Sequence, residues 1–208
     1  MWKRDEVVTP DDWLPGGEAA AGAGRDVPLE IWQGIVGERA RIHVFHRGTH
    51  RDLGRWERAE GPAHPCRVVP PCDRCSPCGG CPLMHLDAAG QGRVRRYLVR
   101  RALEAVGLGA WEPAALVPSP DGDQGFRHLV KLVAGRSDQD RIRLGALGRN
   151  SRDVIPIPTC LVATPGLRRA MTSFAHHVIA LDVRPWSPHG RDGLLRRGPI
   201  GEGRGRRD

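Results

Sequence analysis

Hydrophobic and polar residues alternate in two stretches of the N-terminal third of the chain. Ala40, Ile42 and Val44 are separated by single polar residues, a period of two that predicts a half-buried strand. A second strand is predicted around Leu53 and Trp56, after a polar turn. Because several short strands follow one another closely here, the pattern predicts a small β-barrel.

The clearest helical pattern lies between residues 88 and 108. Val94 and Leu98 occupy one arc of a helical wheel, and Gly107 supplies a stop signal. Three arginines fall on the opposite side: Arg93, Arg96 and Arg100. Two interpretations stand together, a surface helix that packs on a sheet and a basic helix that faces a nucleic acid.

The C-terminal half predicts antiparallel strands and one more helix. Residues 125–133 alternate as a strand, and a glycine-containing hairpin and a further strand lead to Cys160. Thr164 and Pro165 form an N-cap and first-turn pair. They predict a helix that runs to about residue 181 with apolar residues at helical spacing.

The charge of the chain indicates a polyanionic partner. The 208 residues give room for one ordinary domain or two small ones, with a net charge of +8 and a pI near 9.9. Of the 32 basic residues only Lys3 and Lys131 are lysines, and arginine suits phosphate contacts and stacking on bases. A genomic bias towards arginine would explain the arginine-to-lysine ratio but not the excess of positive charge.

The hydrophobic pattern indicates no membrane segment. No apolar run approaches the length that spans a bilayer, and no signal peptide opens the chain. We therefore expect a cytoplasmic protein with no membrane partner, in a reducing compartment where thiols stay available for metals.

Most of the cysteines lie in the segment PCDRCSPCGGCPLMHL, residues 71–86. Four of the six cysteines lie there at intervals of three residues: Cys72, Cys75, Cys78 and Cys81. Such spacing does not keep the thiols on one helix or strand face, and the intervening proline and glycines suit a tight loop around a metal centre.

Three interpretations of this loop compete. Cysteines three residues apart pair poorly as disulfides, and nothing marks the chain as secreted. A four-cysteine zinc site normally joins two CxxC pairs that lie well apart, whereas only Ser76 and Pro77 separate the pairs here. An iron–sulfur cluster uses closely spaced cysteines plus one remote ligand, and this interpretation is favoured.

Without Cys75, the loop is written C-x5-C-G-G-C-x3-H-L and resembles the cluster-binding segment of the RNA uracil-5-methyltransferase family. In that family three loop cysteines and one distant cysteine hold a [4Fe–4S] cluster. The resemblance assigns these roles to Cys72, Cys78, Cys81 and Cys160. Cys66 and Cys75 are then bystanders. For Cys160 the alternative is an ordinary buried thiol.

The resemblance extends to other segments. GGEAAAG and GIVGERARIHV resemble the TRAM domain, a small RNA-binding barrel, and GFRHLVKLV resembles a central strand of the family. Together with the basic helix, these segments imply RNA contacts through the following residues: Arg39, Arg41, Arg47, Arg51, Arg93, Arg96, Arg100, Arg127 and Lys131.

The fold class expected from sequence and resemblance is α+β. A small N-terminal β-barrel of TRAM or OB type, residues 1–62, precedes an incomplete cluster-binding α+β domain, residues 63–196, and a disordered glycine- and arginine-rich tail, residues 197–208. The Rossmann-like methyltransferase domain of the family, which binds S-adenosylmethionine, is expected to be absent, because neither its glycine-rich loop nor its nucleophilic cysteine is found.

The expected function is the RNA-recognition and iron–sulfur portion of an S-adenosylmethionine-dependent RNA uracil-C5 methyltransferase, inactive alone. The resemblance favours 23S ribosomal RNA over transfer RNA as the partner. The alternative is a free-standing RNA-binding iron–sulfur protein without methyltransferase activity, and a separate catalytic domain or subunit is a further possible partner.

Overall fold

The computed structural model describes residues 4–120, 122–187 and 190–203. The chain forms two compact units. Among these residues, the first unit comprises 4–76 and 80–117, and the second comprises 77–79, 118–120, 122–187 and 190–203.

A six-stranded sheet forms most of the first unit. Its strands are β1 (Arg4–Val8), β2 (Asp12–Trp13), β3 (Ala19–Ala21), β4 (Leu29–Trp32), β5 (Ala40–His46) and β6 (Asp52–Ala59). The order in the sheet is β1-β5-β6-β4-β3-β2, and every pairing is antiparallel except that of β4 with β6.

The two strands predicted from the period-two pattern are confirmed as β5 and β6. Ala40, Ile42 and Val44 are buried, while the residues between them are half-buried, as alternation requires. They pack with Leu29 and Ile31 of β4 into the core of this sheet.

The predicted N-terminal β-barrel is wrong. β1 and β2 stand at the two edges of an open sheet, since the strand order does not close on itself. β2 has only two residues and pairs with β3 alone, so it offers too short a ladder to close a barrel.

Two helices follow in the chain. A single turn, α1 (Cys75–Cys78), lies inside the cysteine loop, where the sequence predicted irregular backbone only. α2 (Ala88–Ala105) confirms the predicted basic helix and begins at Asp87, whose side chain accepts a hydrogen bond from the Gly90 amide. Val94, on the apolar arc of α2, is buried. Val106, which directly follows the last residue of α2, is exposed.

The second unit contains a four-stranded antiparallel sheet and one helix. The strands are β7 (Leu129–Arg136), β8 (Ile142–Leu147), β9 (Val154–Pro156) and β10 (Arg197–Gly201), in the order β10-β7-β8-β9. The helix, α3 (Pro165–Ala180), confirms the prediction. The Thr164 side chain caps it by accepting a hydrogen bond from the Leu167 amide.

Residues 197–201 are ordered rather than part of a disordered tail. They form β10, which pairs with β7 along five residues. Beyond the strand, Glu202 accepts a hydrogen bond from the Thr164 hydroxyl at the start of α3. The remainder of the predicted tail, residues 204–208, lies outside the described residues.

Within residues 4–120, 122–187 and 190–203, no helix has both the length and the apolar character needed to cross a bilayer.

Because β10 completes the second unit, we expect Ile200→Ala to lower the free energy of unfolding. Ile200 packs against the core that includes Val130 and Leu167, and loss of a partly buried isoleucine side chain should cost about 1–2 kcal/mol. Arg197→Ala on the same strand is the control, since that side chain is exposed and should change stability by less than about 0.5 kcal/mol. Urea unfolding measures both. Equal stability of the two variants would contradict the role assigned to β10.

Candidate functional site

The cysteine loop begins and ends in the first unit, where hydrogen bonds bend it on itself. The Cys75 amide donates to the Cys72 carbonyl at 3.1 Å, and the Cys75 thiol, which is buried, donates to the Cys81 carbonyl at 3.5 Å. Cys72 is half-buried and carries a free thiol. Cys75 therefore supports the loop backbone through its own thiol, a role that the spacing did not reveal.

The base of the loop is closed by backbone pairing. The Val68 amide donates to the His85 carbonyl at 3.0 Å, and Arg67 and Leu86 form an antiparallel bridge. The Asp87 amide then donates to the Cys66 carbonyl at 2.9 Å, directly before α2. These bonds hold together the two ends of the segment that contains the four cysteines.

In the second unit, Arg149 holds the part of the loop formed by residues 77–79. Its amide donates to the Pro77 carbonyl and its guanidinium donates to the Gly79 carbonyl, both at 3.1 Å. Gly79 has φ +66°, and a Cβ there would come within 2.8 Å of Arg149 Nε, so a side chain is disfavoured on both counts. Arg149 is not predictable from the sequence, because nothing in its local sequence marks it as a partner of the loop.

Two of the four predicted ligands pack against one core in the second unit. Cys78 and Cys160 are both half-buried free thiols, and both contact the cluster that includes Ile157 and Leu167. The sequence suggested that a strand carries Cys160. In the structure Cys160 lies in the connection between β9 and α3 instead. The sequence placed these two cysteines far apart, and the fold brings them to the same core.

Beside the loop, a buried ion pair organises the first unit. Arg67 Nε lies 2.8 Å from Glu38 Oε1, and the Glu38 side chain is fully buried. Arg67 also donates to the Gln33 carbonyl and stacks on the Trp56 ring, 4.0 Å from its centroid. His85, which is 1% exposed, contacts the Gly34 carbonyl through Nε2 at 3.0 Å.

This environment shifts two pKa values. Burial lowers the pKa of His85 to about 4, and the nearby Arg67 cation acts in the same direction, whereas the hydrogen bond to the Gly34 carbonyl opposes the shift. Burial raises the pKa of Glu38, but hydrogen bonds from Arg67 and from the His64 amide outweigh it, so that the pKa lies below its ordinary value. Near neutral pH His85 is therefore uncharged and Glu38 is ionised.

One group of potential ligands for a single ion occurs in the part of the chain that the structure describes. Ligand atoms of Asp5, His43 and Glu57 lie within 4.8 Å of one another in the first unit. Asp5 and Glu57 both face His43 Nδ1, at 3.0 and 3.9 Å. Asp5 and Glu57 are exposed, and exposed acidic groups are common without an ion, so we assign no metal to this group.

The predicted RNA-contacting residues differ in how far their charge is compensated. Several form ion pairs: Arg41 with Glu60, Arg47 with Glu6 and Asp52, Arg51 with Glu30, and both Arg96 and Arg100 with Glu112. Arg93 donates to the Cys66 sulfur. Arg39 and Lys131 are exposed, and Arg127 is half-buried.

The amino-acid sequence of the chain is similar to those of known RNA methyltransferases. No protein-family model matches the chain. An uncharacterized RNA methyltransferase of Parasynechococcus marenigrum is 30% identical over 148 residues, which are 67% of this chain and 31% of that protein. Another, of Geobacter sulfurreducens, is 29% identical over 160 residues, 76% of this chain and 32% of that protein. The chain is therefore homologous to RNA methyltransferases.

Other relatives have names that specify the RNA and the base. The 23S rRNA (uracil(1939)-C(5))-methyltransferase of Francisella tularensis subsp. holarctica is 29% identical over 120 residues, 56% of this chain and 26% of that protein. The relatives whose names specify a base are uracil-C5 methyltransferases, and at this level the resemblance is confirmed. The chain spans about a third of the length of the curated relatives it matches.

A solved structure corrects the fold class. The crystal structure of Pyrococcus abyssi tRNA (uracil-54, C5)-methyltransferase in complex with S-adenosyl-L-homocysteine matches with a TM-score of 0.63 and 21% identity, over 95% of this chain and 42% of that chain. The predicted fold class, a closed barrel and a cluster-binding domain outside any methyltransferase fold, is therefore wrong. The sheets are open, and the chain aligns almost throughout with a methyltransferase. The expectation that the methyltransferase domain is absent has no support.

The pKa of His85 predicts a loss of stability in mild acid. Its folded-state pKa of about 4 lies below the unfolded value of about 6.5, so its contribution is complete above pH 6.5 and declines as the pH falls towards 4. We expect a loss of about 2–3 kcal/mol across this range, measured by urea unfolding at several pH values.

His85→Gln is the matched variant, because glutamine can donate to the Gly34 carbonyl but does not titrate. Its stability should change much less between pH 6.5 and 4. Below about pH 4.5 protonation of Glu38 should destabilise both proteins, since its pKa is lowered in the folded state. Parallel pH profiles from pH 6.5 to 4.5 would refute the assignment to His85.

Proposed function

We propose that the chain provides RNA recognition and an iron–sulfur site in an S-adenosylmethionine-dependent RNA uracil-C5 methyltransferase, with 23S ribosomal RNA as the substrate. The observation that carries the proposal is the similarity to RNA methyltransferases over two thirds or more of the chain. Among the more specific relatives, the name of the 23S rRNA enzyme specifies both the base and the position methylated. S-adenosylmethionine is the methyl donor in this reaction.

The charge of the chain supports the RNA-binding part of the proposal. A net charge of +8, almost all of it from arginine, favours phosphate contacts. The contacts we propose are Arg39, Arg41, Arg47, Arg93, Arg96, Arg100, Arg127 and Lys131. Those that are ion-paired must exchange a carboxylate for a phosphate, whereas Arg39 and Lys131 are exposed and take part in none of the ion pairs found in the described residues.

The donor set of the loop fits an iron–sulfur cluster. Thiolates are the ligands that such clusters use, and we propose Cys72, Cys78, Cys81 and Cys160 for this role. Gly79 leaves no room for a side chain against Arg149, so the loop backbone follows a fixed path beside Cys78. When bound, a [4Fe–4S] cluster would supply a covalent cross-link between segments that are distant in sequence, which stabilises the fold as structural metals do.

The alternative function, a free-standing RNA-binding iron–sulfur protein without methyltransferase activity, is not favoured. The curated relatives given above are named as methyltransferases, and the structural likeness is to a methyltransferase with a bound methyl-donor product.

The cluster is tested by metal analysis of anaerobically purified protein. We expect about four iron and four sulfide per chain with a brown visible absorption, and we expect Cys160→Ala to lose most of the iron. Cys66→Ala is the matched control, because Cys66 is outside the proposed ligand set and should keep the iron. A colourless protein with stoichiometric zinc would exclude the cluster, and full iron content in Cys160→Ala would exclude that ligand.

RNA binding should weaken steeply with salt, because arginine–phosphate contacts release counterions. With four or more contacts, a plot of log affinity against log salt should have a slope of about −3 or steeper for a 23S rRNA fragment. Arg39→Gln should reduce the slope by about 0.9, and Arg100→Gln should reduce it less because Glu112 already compensates that charge. A slope near zero would indicate a partner other than RNA.

A further inference from the structure

A groove of about 690 Å³ lies on α3 in the second unit, and none of the residues that line it has been given a role above. One wall consists of the segment that flanks Cys160 and includes Leu161. The other wall is the solvent side of α3, which contributes five polar side chains: Arg168, Arg169, Thr172, Ser173 and His176.

The polar side chains of the groove share one helical face. They recur at intervals of three to four residues along α3, whereas Leu167, Met171 and Val178 are buried on the opposite face. Packing therefore explains the apolar residues of α3, but it does not explain why two arginines and a histidine follow one stripe beside an apolar wall.

The charge of this groove is uncompensated. Arg168 is half-buried and Arg169 is exposed, and neither takes part in any ion pair found among the described residues. The sequence from residue 154 to residue 181 contains no acidic residue. The carboxylate of Glu202, at the start of α3, is bonded to Thr164 instead.

We propose that this groove binds single-stranded RNA, with the two arginines on phosphates and with Leu161 and the His176 ring against a base. Arginine combines phosphate contacts with stacking, and single strands bind where cations lie next to flat or apolar surfaces. The inference rests on the proposed RNA-binding function. It extends that function to residues that neither the cysteine loop nor the basic helix includes.

Paired double variants test the groove. Arg168→Gln/Arg169→Gln removes both groove charges. Arg136→Gln/Arg141→Gln removes the same charge from the β7–β8 hairpin of the same unit, where both arginines are exposed. The probe is a fluorescent oligouridylate of about 12 nucleotides, titrated at several salt concentrations.

Loss of two single-strand phosphate contacts should reduce the salt slope by about 1.4, which corresponds to about 25-fold weaker binding at 0.1 M salt. The hairpin variant should bind within about threefold of the original chain, because Arg136 and Arg141 do not line the groove. Arg168→Lys/Arg169→Lys keeps the point charges and should recover most of the affinity. If the glutamine variant bound weakly only because the chain was misfolded, the lysine variant would give no reason to expect such a recovery.

Photo-crosslinking supplies an independent measurement. Oligouridylate that contains 4-thiouridine should attach to peptides from residues 158–176, and this attachment should disappear in the glutamine variant. Crosslinks confined to other segments, or equal affinity of the glutamine and hairpin variants, would overturn the proposal that the groove binds RNA.

Two other outcomes are distinguishable. If the original chain binds neither oligouridylate nor a 23S rRNA fragment, the proposed RNA-binding function fails together with the groove. If it binds RNA normally and the groove arginines are needed only to bind poly-L-glutamate, the groove is a site for an acidic protein partner and the inference is wrong.

Discussion

The buried pair of Arg67 and Glu38 is the interaction on which the first unit depends. A fully buried carboxylate is costly unless it is paired and hydrogen-bonded, and Glu38 receives bonds from Arg67 and from the His64 amide. Removal of either partner would leave a buried charge, at a cost of about 3–5 kcal/mol. The pair joins the turn between β4 and β5 to the segment after β6, from which the cysteine loop departs. The conformation of the loop thus depends on charges that are not part of it.

The same anchor explains how a loop with one helical turn can present several thiols. Arg67 also pairs with Leu86 through its backbone, so one residue fixes both the sheet and the base of the loop. Asp87 then caps α2 directly after that base. Folding alone therefore reduces the conformational entropy of the loop, and this would lower the ordering cost of the metal binding proposed above. A buried, uncharged His85 beside the ion pair makes this arrangement sensitive to acid.

Local sequence patterns predicted the elements but not their long-range pairing. The alternation at Ala40–Val44 and the Thr164–Pro165 cap depend on neighbouring residues, and both predictions are confirmed by β5 and α3. Closure of a sheet depends on which distant edges meet, and β10 gains its order from β7. The barrel and the disorder of residues 197–201 were therefore both predicted wrongly. Arg149 was missed for the same reason: its bonds to the cysteine loop cross a long stretch of sequence. The cysteine spacing was visible because four of the six cysteines lie close together in the sequence.

The distribution of compensated arginines indicates where a polyanion can bind more directly than the net charge does. A net charge of +8 favours a polyanionic partner, yet Arg41, Arg47 and Arg100 already have carboxylate partners. For these residues a phosphate contact replaces an existing ion pair, so the net gain in free energy is small. An arginine in an acid-free segment has only water and counterions to displace, and release of counterions is the main source of affinity. The position of acidic residues along the chain, rather than the number of basic ones, therefore identifies the surfaces of each unit on which the proposed RNA contacts would contribute most affinity.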